Sequence, residues 1–132
     1  MGVNVTKRVK VTFNDPKEVV RVTPIMFSRV DTDSLLRTAP VGAYLLYVDF
    51  DTDKLYLSVR SSETVEHHRI LEMDGLYYLD KQPYPYLDSV VLYHRRHKLK
   101  GTRLTQQAYL SAKAVKQFSL KVAARNGNVP IT

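Results

Sequence analysis

The chain has 132 residues, 44% hydrophobic and 25% charged, enough for one domain around one core. It has no cysteine, which excludes a disulfide frame and a thiolate zinc site and suits a reducing, cytoplasmic setting. A formal net charge of +7 draws acidic surfaces at long range, and the apolar stretches are strand-sized and broken by charges, so none reads as a bilayer span or a secretory signal.

Residues 1–23 carry Val3, Val5, Val9, Val11 and Phe13 at odd positions, the two-residue period of a half-buried strand, and reach a turn at Asn14-Asp15-Pro16. They read as an N-terminal extension. Ser28-Arg29-Val30-Asp31 offers a capping box, in which the hydroxyl accepts the third amide of a helix and the carboxylate reaches back. A short helix is expected from Arg29 to Arg37, burying Leu35 or Leu36 and stopping near Pro40. Ala43 to Phe50 is dense in aromatic and aliphatic residues, as in a central strand covered on both faces, and Asp51-Thr52-Asp53 turns the chain. Leu55, Leu57 and Val59 then alternate with Tyr56, Ser58 and Arg60, a hairpin partner with one face inward. After Ser61-Ser62-Glu63-Thr64, the runs Val65 to Leu71 and Leu76 to Leu79, split by Asp74-Gly75, continue an antiparallel meander. Leu87, Val90, Val91 and His94 fall at helical spacing after Gln82-Pro83-Tyr84-Pro85, with Asp88 in the first turn and cations in the last.

This order gives an α+β fold, a central antiparallel sheet flanked by two helices. Leu110, Val115, Phe118 and Val122 suit a third helix between Ala108 and Arg125, ended by Asn126-Gly127. The chain thus divides into an extension (1–23), a core domain (24–107) and a C-terminal helix and tail (108–132).

Several short motifs arrive in an order that carries a resemblance. They are Phe27-Ser28-Arg29, Pro40-Val41-Gly42-Ala43-Tyr44-Leu45-Leu46, Leu57-Ser58-Val59, Val65-x-His67-His68-Arg69-Ile70, Tyr84-Pro85-Tyr86-Leu87 through Val91-Leu92-Tyr93-His94, and Arg103-Leu104-Thr105. Together they resemble a Src-homology-2 (SH2) domain over roughly residues 24–105. The tryptophan usual at the start of that family is missing. The resemblance implies that Arg29 faces a phosphate, that His67 supports the pocket and that Arg69 packs on a phosphotyrosine ring. It further implies that His68, Tyr78 and Leu99 lie where residues following the phosphotyrosine are seated. One position departs from the pattern: Tyr47 stands where the family has its phosphate-gripping arginine.

An arginine gives phosphate two parallel charge-assisted hydrogen bonds, whereas a phenol gives one neutral bond and no countercharge. Asp49, Asp51 and Asp53 add three carboxylates to the loop that would wrap the phosphate. The reading is therefore a protein or peptide recognition module whose phosphotyrosine binding is lost or remodelled. The alternatives are weak phosphotyrosine-peptide binding retained through Arg29, His67 and Arg69, or an electrostatic adaptor for nucleic acid or anionic membrane. In plainer terms, Tyr47 is a core tyrosine whose hydroxyl is tied to His67 or a loop aspartate, and Arg29 and Arg69 pair with Asp49 or Asp51.

No cofactor, metal or enzymatic activity is implied. A cysteine nucleophile, a glycine-rich phosphate loop and a recognised triad motif are all missing from the sequence. Asp49-x-Asp51-x-Asp53 opens like a calcium loop but lacks its glycine and has Arg60 where the bidentate glutamate belongs. His94 and His97 read as exposed helix-end histidines rather than metal ligands. Met1-Gly2-Val3-Asn4-Val5-Thr6 fits a loose myristoylation pattern, with Lys7, Arg8 and Lys10 as the second signal, so a membrane partner depends on acylation of Gly2.

Overall fold

The computed structural model describes residues 22–127; the strand pattern, the Asn14-Asp15-Pro16 turn and the acylation motif read near the start of the sequence lie outside them. Nine elements follow in order: β1 (Ile25–Phe27), α1 (Arg29–Arg37), β2 (Tyr44–Asp49), β3 (Leu55–Arg60), β4 (Val65–Met73), β5 (Leu76–Leu79), β6 (Gln82–Tyr84), α2 (Leu87–Arg96) and α3 (Ala112–Arg125). The six strands form one sheet in sequential order.

The fold is α+β, but the sheet is mixed rather than wholly antiparallel. β1 runs parallel to β2, pairing Ile25 with Tyr47 and Phe27 with Asp49, and every later pair is antiparallel. A three-residue strand joined by α1 to a parallel neighbour is too short to show a period-two pattern, which is why the sequence hides it. The same edge of β2 is completed by residues 105–108, where the Thr105 amide donates to the Gly42 carbonyl and the Ala108 amide to the Tyr44 carbonyl. β6 was also unseen. A two-residue turn with positive φ at both Asp80 (51°) and Lys81 (70°) folds it back on β5, and Pro83 is tolerated because β6 is an edge.

α1 starts as its sequence dictates. Ser28 Oγ accepts the Asp31 amide at 3.0 Å and donates to the Asp31 carboxylate, so the carboxylate returns to the capping hydroxyl rather than to a backbone amide. Of Leu35 and Leu36 it buries Leu36 fully, together with Thr32. α1 covers one sheet face over Phe27, Leu45 and Tyr47, and α2 covers the other, over Tyr44, Leu46, Leu57, Val59 and Ile70. β2 is thus buried on both faces, as its composition demands. α3 is capped by Ser111, whose hydroxyl accepts the Ala114 amide, and it buries no residue completely. Leu110 precedes the helix and packs with Phe118 against the α1-side cluster, while Val115 stays half exposed.

No described helix is long and apolar enough to cross a membrane.

Candidate functional site

Cross-strand register decides which side chains meet. Leu45, Ser58 and His67 form one row beneath α1, and Tyr47, Tyr56 and Arg69 form the next. Tyr47 is 0% exposed. Its hydroxyl lies 2.8 Å from Ser58 Oγ, which lies 2.6 Å from His67 Nδ1, and His67 Nε2 is 2.9 Å from Asp33 Oδ1 on α1. Arg37 Nε, one turn further along α1, donates to the other Asp33 oxygen at 2.7 Å. Since an ionised carboxylate only accepts, a neutral His67 donates from Nε2 and accepts at Nδ1 from Ser58, leaving Ser58 Oγ to accept from Tyr47. Five side chains from four elements are linked without a gap.

Two of these groups, Tyr47 and Asp33, are shifted from their ordinary values. Burial pushes the Tyr47 phenol above its ordinary value, beyond what hydrogen bonds with Ser58 and Thr32 restore. The hydrogen bond from His67 holds the Asp33 carboxyl below the usual range, helped by Arg37 against partial burial. The set contains serine, histidine and aspartate, yet Ser58 is fully buried beneath Tyr47, so its hydroxyl has no path to a substrate.

Asp49 turns inward. It is 2% exposed and accepts the Arg29 amide at 2.9 Å and the Thr52 hydroxyl at 2.6 Å, with further bonds from the amides of Asp51 and Thr52. Burial alone would raise its pKa, but these donors outweigh it and hold the carboxyl below its ordinary value. Donors at the loop and at the helix N-terminus, the groups that could wrap an external anion, are thus occupied by an internal one. Asp51 instead bonds Arg125 of α3 at 2.5 Å, and Asp53 sits exposed with φ 61°. The expected repulsive lip of three carboxylates is therefore one buried acid, one paired acid and one free to solvent.

The remaining sequence-derived positions separate. Arg29 and Arg69 are both exposed, and neither guanidinium forms an ion pair among the described residues; the expected pairing with Asp49 or Asp51 is replaced by the Arg29 backbone amide on Asp49 and by Arg125 on Asp51. Tyr47 is tied to Ser58, and reaches His67 only through it. His68 points to the α2 face, its Nε2 3.3 Å from Glu66 Oε1 but not aligned for a hydrogen bond; burial holds it below the ordinary histidine value, against the pull of Glu66. Tyr78 alternates with Tyr77 and Leu79, which pack in the α2-side core, so it faces the opposite side of the sheet beside its partner Leu71. Leu99 is 3% exposed and belongs to that same core, so its place as a surface contact is corrected. His94 is likewise buried rather than exposed: Nδ1 donates to the His97 carbonyl, and Nε2 accepts from the Tyr84 hydroxyl, both at 3.1 Å. Among the described residues no cluster of three or more acidic or histidine side chains could hold a metal ion.

Sequence reading missed Asp33, Thr32, Tyr56 and Ser58 as parts of the site. Only Asp33 and Arg37, four apart on one helix face, left a signal.

A mixed six-stranded sheet with α1 and α2 on opposite faces is an α+β architecture of SH2 type. Solved SH2 domains share it. The SH2 domain of a Monosiga brevicollis CRK/CRKL homologue (crka1) superposes with a TM-score of 0.62 at 21% identity, over 68% of this chain and 90% of that one. The human VAV1 SH2 domain gives 0.55 at 16% identity, over 81% and 88%, and in complex with a tyrosine-phosphorylated peptide from SLP76 it gives 0.57 at 17%, over 85% and 91%. No protein-family model and no curated protein matches the sequence.

Proposed function

We propose that the chain is a peptide-recognition module of SH2 type whose phosphotyrosine pocket has been filled from within. The VAV1 domain, which shares the fold, was solved with a tyrosine-phosphorylated peptide bound, and that supports a peptide as the ligand class. The observation that carries the loss of phosphate dependence is the fully buried Tyr47, locked through Ser58 and His67 to Asp33. A dianion has no charged partner at the floor, and the loop amides that would receive it already hold the Asp49 carboxylate. Displacing that carboxylate would leave a buried charge without its donors, which is costly.

The test is a titration of matched peptides, each as tyrosine and as phosphotyrosine, followed by fluorescence anisotropy. Paired affinities should agree within about threefold, or under ~1 kcal/mol. A preference of about a hundredfold or more for the phosphorylated member, near 2.7 kcal/mol, would reject the reading.

A further inference from the structure

α3 lies beside α1 and ends on the β2–β3 loop. Phe118 packs against Phe27 of β1, ring centroids 5.1 Å apart, and meets Phe50 of the loop edge-on at 5.7 Å. Arg125 stacks over the Phe50 ring at 4.5 Å while donating to Asp51, so two consecutive loop residues are held by one side chain. Lys121 donates to Asp31 of α1 at 2.8 Å. The grip is made by side-chain ends. No α3 residue is fully buried, and a cavity of about 280 Å³ remains between Phe27, Leu35, Ala114 and Phe118. Phe50 and Asp51 directly follow Asp49, whose carboxylate takes up the loop's donors.

We propose that α3 is a strap whose docking, through Phe118 and Arg125, holds the β2–β3 loop in the inward-turned state that keeps Asp49 under the start of α1 and closes the site to an external anion. This rests on the reading of that loop as the lip of a filled pocket. Loop opening requires Asp51 and Phe50 to leave Arg125, so strap release and loop opening are one equilibrium. The held state is set partly by a half-exposed ion pair, with Arg125 48% and Asp51 36% accessible, and salt screens such a pair.

Hydrogen exchange on the intact chain tests it. In Arg125→Ala and in Phe118→Ala, the amides of Asp51 and Thr52 should exchange about tenfold faster, as expected when a local opening becomes easier by ~1.4 kcal/mol, while those of Leu57 and Val59 in β3 stay unchanged. Combining Arg125→Asp with Asp51→Arg, which swaps the charges, should restore most of the protection that Arg125→Asp alone removes. Unchanged loop exchange in both alanine variants would overturn the strap, as would failure of the swapped pair to restore protection. Exchange needs no peptide, so this outcome is independent of whether phosphate dependence is found in the titration.

Discussion

At the residue scale, a tyrosine at position 47 sets what the floor of the site requires. A guanidinium there needs an anion, whereas a phenol needs one acceptor and a lid, and Ser58 and the packed ring of Tyr56 supply both. Tyr47→Phe removes the hydroxyl, leaves Ser58 without its donor, and should lower unfolding free energy by about 1–2 kcal/mol in urea, with peptide affinity unaltered. Tyr47→Arg places a charge in a fully buried position with Thr32 and Ser58 around it, and should cost about 3 kcal/mol without a ligand. If the phenol is the chief barrier to a phosphoryl group, this variant gains affinity for phosphotyrosine peptides relative to their tyrosine forms. A destabilised variant with equal affinity for both forms would show that the Asp49 loop alone keeps phosphate out.

At the element scale, local patterning carried most of the fold. The capping box at Ser28, the alternation in β3, the apolar stripe of α2 and the Asp74-Gly75 turn are each short-range signals, and each formed where its residues asked for it. What stayed hidden is either too short to show a pattern, made by a turn without its usual residues, or dependent on distant contacts. β1 is three residues long, β6 is made by a two-residue turn without glycine, and the strap contact of α3 joins Arg125 to Asp51, 74 positions away. The site was half legible for the same reason: motif positions could be named, but period-two alternation offers Ser58 as an outward residue when it is buried under α1. Gly42 shows how local and distant demands combine. Its φ of 94° disfavours any side chain, and a Cβ there would lie 2.6 Å from Thr105 Cγ2 and 2.8 Å from the Arg103 carbonyl, in the segment that completes the β2 edge. Gly42→Ala should therefore cost about 2–4 kcal/mol, from backbone strain plus displacement of a backbone carbonyl that has little freedom to move. A urea midpoint within error of the parent would mean that residues 103–105 shift without loss.

For the whole molecule, pH gathers these buried groups into one measurable curve. His94 is held below its ordinary value first by burial, with the His97 carbonyl pulling the other way, His97 itself adding repulsion, and Asp80 a weak attraction; Tyr84 and Tyr93 enclose it. His68 is lowered by burial against Glu66 and Asp80, with Lys100 assisting. In the unfolded chain both imidazoles take a proton near pH ~6.5, while in the folded chain both resist it, so the unfolded state binds more protons as pH falls through that value. Stability must then decline below about pH 6.5, by at most ~1.4 kcal/mol per pH unit for each histidine. Asp33 and Asp49 have the opposite chemistry and the same sign of slope: their folded values lie below the ordinary one, so what they contribute is present above pH ~3.9 and lost below it. Tyr47 and Tyr84, both raised by burial, keep their protons in the folded state when the unfolded chain gives them up near pH ~10, which lowers stability again on the alkaline side. Urea unfolding across pH 4–8, a range of about four units around the histidine step, should give an acid decline that His94→Gln and His68→Gln each flatten and that the double substitution largely removes. If the double variant keeps the parent's slope between about pH 7 and 5, the decline belongs to groups other than these two imidazoles.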